Sequence, residues 1–116
     1  MEILRFDATV GRQVDLYASD FVVTHLAAVD GPARVAAFHL APGGRVGRHP
    51  AAANQMLCVV GGEGWASSAD DVRVPIGVGQ AVLWSGGEAH AVGTDPGLTA
   101  IVVEGDSLQA TAESAT

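Results

Sequence analysis

Three side chains in this 116-residue chain are of types that could act together on one small molecule: His49, Gln55 and His90. Neutral imidazoles donate nitrogen lone pairs to divalent metals, and near neutral pH they also accept or release protons. The amide of Gln55 offers both a donor and an acceptor. On an extended strand, residues two apart point the same way. Position 51, beside His49, could therefore have carried a further ligand, but it holds Ala51. Two chemistries remain open. In one, His49, Gln55 and His90 hold a divalent transition metal (zinc, nickel, copper, iron or manganese). In the other, a metal-free cavity binds a small polar or anionic ligand, with His49 or His90 as the catalytic acid or base. Arg45, Trp65 and Trp84 are candidate ligand-binding residues: Arg45 facing inward near an anionic group, the two indoles lining the cavity entrance. Arg48 is expected to face outward by alternation. His25 and His39 read as hydrogen-bonded core residues, Glu63 and Glu88 as solvated turn charges, and Asp70 and Asp71 as a hairpin tip.

The elements that must position these groups read as short strands. "EILRF" at 2–6 suits an edge strand, and 7–19 a loop. "DFVVTHL" at 20–26 is a β-branched strand, and "ARVAAFHLA" at 33–41, apolar on both faces, suits the middle of a sandwich or barrel. "QMLCVV", "QAVLW" and "LTAIVVE" follow, separated by "GGEG", "SGGE" and "TDPG" turns. About nine or ten short strands, with turn signals every 8–12 residues or so, predict an all-β sandwich or barrel. Periodicity alone does not choose the topology. The small, polar residues 107–116 read as a frayed tail, leaving one domain over 1–106.

Composition narrows the function. Thirteen acids oppose six arginines, there is no lysine, and the formal net charge is −7. No basic patch could neutralise a row of phosphates, so nucleic acid is not an expected partner. Schiff-base chemistry on an internal lysine is excluded. The single cysteine, Cys58, lies in an apolar run and reads as a buried small hydrophobe. No stretch approaches the roughly 18 apolar residues of a membrane helix. The first residues also lack the basic start and apolar run of a signal peptide. The expectation is a cytoplasmic protein with no membrane partner.

The polar residues stand in two glycine-framed segments. The first runs Gly43, His49, Ala51, Gln55, Gly62. The second runs Gly79, Ser85, Gly87, His90, Thr94. In spacing this pair resembles the two motifs of the cupin superfamily, Gly-x5-His-x-His-x3-4-Glu-x6-Gly and Gly-x5-Pro-x-Gly-x2-His-x3-Asn. The glycine frame and two histidines match. Ala51, Gln55, Ser85 and Thr94 replace the family's second histidine, glutamate, proline and asparagine. The resemblance covers residues 33–104. It implies a cupin-type double-stranded β-helix, or jelly-roll barrel, with the motif positions converging inside it. It further implies a small-molecule ligand or substrate, a metal-dependent enzyme or a metal-free sensor, and a homodimer paired through sheet faces and N-terminal strands.

Overall fold

Apolar runs broken by glycine turns form thirteen strands in the computed structural model, which describes residues 1–115. They are β1 (Glu2–Arg5), β2 (Arg12–Val14), β3 (Phe21–Val23), β4 (Ala27–Ala28), β5 (Arg34–Leu40), β6 (Arg45–Pro50), β7 (Gln55–Ser67), β8 (Val74–Gly77), β9 (Gln80–Trp84), β10 (Ala89–Gly93), β11 (Leu98–Glu104), β12 (Gln109–Ala110) and β13 (Glu113–Ser114). The helical pieces among the described residues are two 3-10 turns, Ala8–Val10 and Leu16–Ala18. The expected 7–19 loop therefore contains these turns and β2, which pairs with β3 as a small ribbon.

All the pairings are antiparallel. One sheet has the order β13-β1-β9-β7-β11-β5, and the other β8-β7-β10-β6. Strand β7 belongs to both. Its first half pairs with β9 and β11, its second half with β8 and β10. Gly62 lies at the crossover with φ +72°, a conformation that side chains disfavour, and a Cβ there would come within 2.0 Å of the Gly97 carbonyl oxygen.

The inner faces of the two sheets enclose one core, built on Leu57, Val59, Ala66, Ile76, Val82, Trp84, Val92, Leu98, Ala100 and Val102. A second cluster, Leu4, Met56, Cys58, Ala81 and Leu108, lies on the other side of the first sheet. Cys58 is buried, and burial pushes its thiol up to about 11, as befits a packing residue rather than a nucleophile.

Several elements depart from the sequence reading. "EILRF" is not at an edge, because β1 lies between β9 and β13. The segment expected to fray instead packs: Leu108 is buried, β12 pairs with β4 and β13 with β1. Thr116 lies outside the described residues. "ARVAAFHLA" is not central. Among the described residues strand β5 pairs only with β11, and it is largely exposed, since its small alanines are left outside while Phe38 and Leu40 turn to the core. His25 and His39 are likewise exposed rather than core residues. The sheets end in β5 and β6, and no pairing between these two is present among the described residues, so the barrel has an unclosed side.

Leu108→Ala is expected to cost about 2–4 kcal/mol, as for a core leucine. Urea unfolding measures this; a frayed tail would give a change near zero.

Candidate functional site

Strands β6 and β10 pair with His49 opposite His90 and Val46 opposite Val92. Three steps along β6 thus match two along β10. This is a β-bulge in which Gly47 and Arg48 together oppose Ala91. The extra residue lets Val46 and His49 both reach the interior. Gln55 opens β7, with Trp84 of β9 opposite it in register. These elements converge on a cavity of about 70 Å³. Its polar lining is His49, Gln55 and His90; its apolar lining is Phe38, Val46, Leu57, Trp84 and Val92. Phe38 and Val46 come from the two strands that flank the unclosed side.

The rings of His49 and His90 lie 4.4 Å apart between centroids, and that of His90 is 4.5 Å from Trp84. Trp84 is fixed in turn by its indole N–H, which donates to the Ser67 carbonyl at 3.1 Å. His49 Nδ1 lies 2.7 Å from the Gly47 carbonyl oxygen, and His90 Nδ1 lies 3.1 Å from that of Glu88. A carbonyl oxygen only accepts, so each Nδ1 carries the proton and each neutral ring keeps its lone pair on Nε2. His90 is 2% exposed, and burial chiefly lowers its pKa, favouring the neutral ring. The Oε1 of Gln55 is buried without a hydrogen-bond partner. An unsatisfied buried acceptor costs about 1–3 kcal/mol; the Ser67 hydroxyl oxygen, outside this cavity, is also buried without a partner.

A divalent metal, the cofactor the resemblance implies, meets a partial fit. Imidazoles anchored through Nδ1 to backbone carbonyls have the arrangement of metal-ligating histidines. Gln55 Oε1 supplies a third, neutral donor. No group of three His, Cys, Asp or Glu side chains suited to a metal converges among the described residues. The set suits zinc, nickel or copper, which favour imidazole, and lacks the carboxylate that iron and manganese favour. Ala51 is 5% exposed and sits just past the end of β6, its N–H donating to the Glu88 carbonyl.

The structure thus brings together His49, Gln55, His90 and Trp84. It does not bring Arg45 or Trp65 to them: both line a separate hollow with Arg73. Arg48 is exposed and bonds to the Ser68 and Ala69 carbonyls and to Asp71. Phe38, Val46, Leu57 and Val92 carry no signal beyond apolarity and were not picked out by sequence reasoning. Glu88 is not a solvated turn charge. Its carboxylate accepts from the Ser85 N–H and the Met1 amine, while its carbonyl holds His90. Its place two residues before His90 was the available clue. A larger hollow, about 430 Å³, is a different one, lined by Arg34, Glu104 and Asp106 among others.

Two antiparallel sheets sharing a strand around a polar-lined cavity define a double-stranded β-helix. Solved structures place it further: the chain has the fold of cupin superfamily proteins. A conserved protein of unknown function from Streptococcus pyogenes is 20% identical with a TM-score of 0.58, the match covering 65% of each chain. A cupin superfamily protein from Desulfitobacterium hafniense is 13% identical with a TM-score of 0.59, covering 68% of this chain and 74% of that one. A DMSP lyase from Ruegeria pomeroyi is 18% identical with a TM-score of 0.59, covering 89% of this chain and 56% of that one. The chain therefore spans about two thirds of the first of these proteins and little more than half of the last. No protein-family model matches the chain, and no curated protein does. Among the described residues no helix is long and apolar enough to cross a membrane.

Because the fold favours neutral His90, the unfolded chain takes up that proton more readily. Stability is therefore fullest above the ordinary imidazole value near 6.5 and falls as pH drops through it. Chelator-treated protein, unfolded in urea at pH values between about 7.5 and 5.5, should show this fall, and His90→Gln should flatten it.

Proposed function

We propose that this is a small-molecule-binding protein, and that the His49–Gln55–His90 cavity takes a hydrogen-bond-donating or cationic group of its ligand. The observation that carries the reading is the buried, unpartnered Gln55 Oε1, set in one cavity with two imidazoles whose Nδ1 protons are already engaged. The cavity offers acceptors, two Nε2 lone pairs and an amide oxygen, together with the N–H donors of the same Gln55 amide. A hydroxyl, an amine or a metal ion complements the acceptors. A volume of about 70 Å³ is well below the ~300 Å³ at which ordinary ligand pockets begin. Only a terminal group enters, and the rest of the ligand lies along the unclosed side between β5 and β6.

The carbonyl-anchored imidazoles favour a second reading, a metal-assisted enzyme. His49, His90 and Gln55 would hold zinc, nickel or copper, and a bound metal supplies Lewis acidity. In the metal-free reading His49, the more exposed of the two histidines, is the group placed to take a proton from a bound hydroxyl or amine; as a metal ligand it would have no lone pair left for one. That one structural neighbour is a lyase shows that this fold can host an enzyme, without choosing the reaction for this chain.

The test is elemental analysis of untagged protein followed by thermal shift with zinc, nickel, copper, small amines and small alcohols. Stabilisation that survives chelation supports the metal-free reading, whereas stabilisation requiring the metal supports the second. Either should disappear in His49→Ala and His90→Ala. Gln55→Met should also lose it while raising the stability of the ligand-free protein by about 1 kcal/mol, because the unpaired acceptor is gone. No response to any of these additions overturns both readings.

A further inference from the structure

The hollow that holds Arg45 and Trp65 lies at the other end of the strands that carry the histidines. His49 and His90 are near one end of the β6–β10 pair, and Arg45 and Gly93 form its other end. Four residues of strand separate the two places, roughly 13 Å. Trp65 of β7 and Arg45 of β6 are both register partners of Gly93, one on each side. Directly opposed residues share a face, so the three form a row on the outside of the second sheet. Gly93 is required there: a Cβ would fall 2.3 Å from the indole ring. The indole therefore lies over bare backbone. Above it, the guanidinium of Arg73 sits 3.9 Å from the ring centroid. Gly43, Gly44, Thr94 and Asp95 complete a hollow of about 220 Å³.

The charges here run against the rest of the chain. The protein carries thirteen acids and six arginines. Arg5 pairs with Asp7 and Arg48 with Asp71, but neither Arg45 nor Arg73 forms an ion pair among the described residues. Asp95, in the same hollow, pairs with neither. The backbone around it is already committed: Gly43 N–H donates to the Asp95 carbonyl, Thr94 N–H to that of Gly44, and the Thr94 hydroxyl to that of Glu63. What remains are two guanidinium groups, each able to grip an oxyanion through paired N–H donors, beside the edge of an indole whose faces are taken by Gly93 and Arg73.

We infer that this hollow is a second binding site, for a small organic anion whose carboxylate or phosphate is held between Arg45 and Arg73 while its apolar part rests against the edge of Trp65. The site is independent of the reading given to the histidine cavity. Stacking on Trp65 holds the Arg73 guanidinium over the hollow, which lessens the ordering needed on binding. Asp95 sets a limit, since its carboxylate disfavours highly charged ligands.

The probes are benzoate, phenyl phosphate and inorganic phosphate, titrated into the full chain while the two indole N–H signals are followed by NMR. The Trp65 signal should shift to saturation with millimolar affinity, whereas that of Trp84, buried and bonded to Ser67, should stay in place. Benzoate alone would identify a carboxylate site and phenyl phosphate alone a phosphate site. A response to inorganic phosphate equal to that of phenyl phosphate would remove the indole from the recognition and overturn that part of the inference. Arg45→Ala and Arg73→Ala should each weaken binding about tenfold or more. Asp95→Asn should strengthen it. Arg45→Lys, which keeps the fold and the charge, should recover part of the loss. An unsaturable Trp65 response to all three probes, or wild-type affinity in both alanine variants, overturns the site.

Discussion

Strand β7 has to serve two sheets at once, and the rest of the molecule depends on its doing so. Its first half supplies Gln55 and Leu57 to the cavity and Val59 to the core, and its second half supplies Ala66. The turn between these halves is possible because Gly62 adopts a positive φ and packs directly on the Gly97 carbonyl. A side chain there would meet both the conformational cost and the backbone clash. The same crossing brings β10 alongside the second half of β7 and β9 alongside the first. His90 and Trp84 thereby arrive next to Gln55 from different sheets. The site is a consequence of the crossover rather than an addition to it.

Inside that frame the cavity is costly. Three polar groups occupy a region otherwise filled by Phe38, Val46, Leu57, Trp84 and Val92. Two of them are partly compensated by carbonyl oxygens at their Nδ1 atoms, and Gln55 Oε1 is not. An apolar residue at 55 would satisfy the fold better. The unsatisfied acceptor is the kind of local conflict that a folding argument leaves unexplained.

The glycine frame made much of this legible. Gly43, Gly62 and Gly79 all adopt positive φ, so their spacing reports the turns that set the strands. The pairing of His49 with His90 follows from the two motifs occupying neighbouring strands. What could not be read was strand parity. Counting back in twos from His49 places Arg45 inward, but the extra residue at Gly47–Arg48 puts Val46 inward and Arg45 outside. Trp65 fails in the same way. Counting on from Leu57 and Val59 places it inward, yet the register between β7 and β11 slips by one at Val60, which is 48% exposed, and Ala66 faces the core instead. A one-residue slip reverses every side chain beyond it. The edge position of β5 was hidden for a different reason: small apolar residues suit a buried strand, and only the pairing pattern shows that one side is open.

Those two irregularities also sort the chemistry of the protein by face. The bulge in β6 leaves an imidazole lone pair inside, in a small apolar cavity that a cation or hydrogen-bond donor can satisfy. It puts a guanidinium outside, in water, where a wider and more polar hollow can hold an anion. The slip in β7 does the same with its amide and its indole: Gln55 precedes it and faces in, and Trp65 follows it and faces out. If both strands kept perfect alternation, Arg45 and Trp65 would compete with Val46 and Ala66 for the interior. A guanidinium brought so close to the two imidazoles would compete for their Nε2 lone pairs itself, and the cavity would be filled by its own side chain.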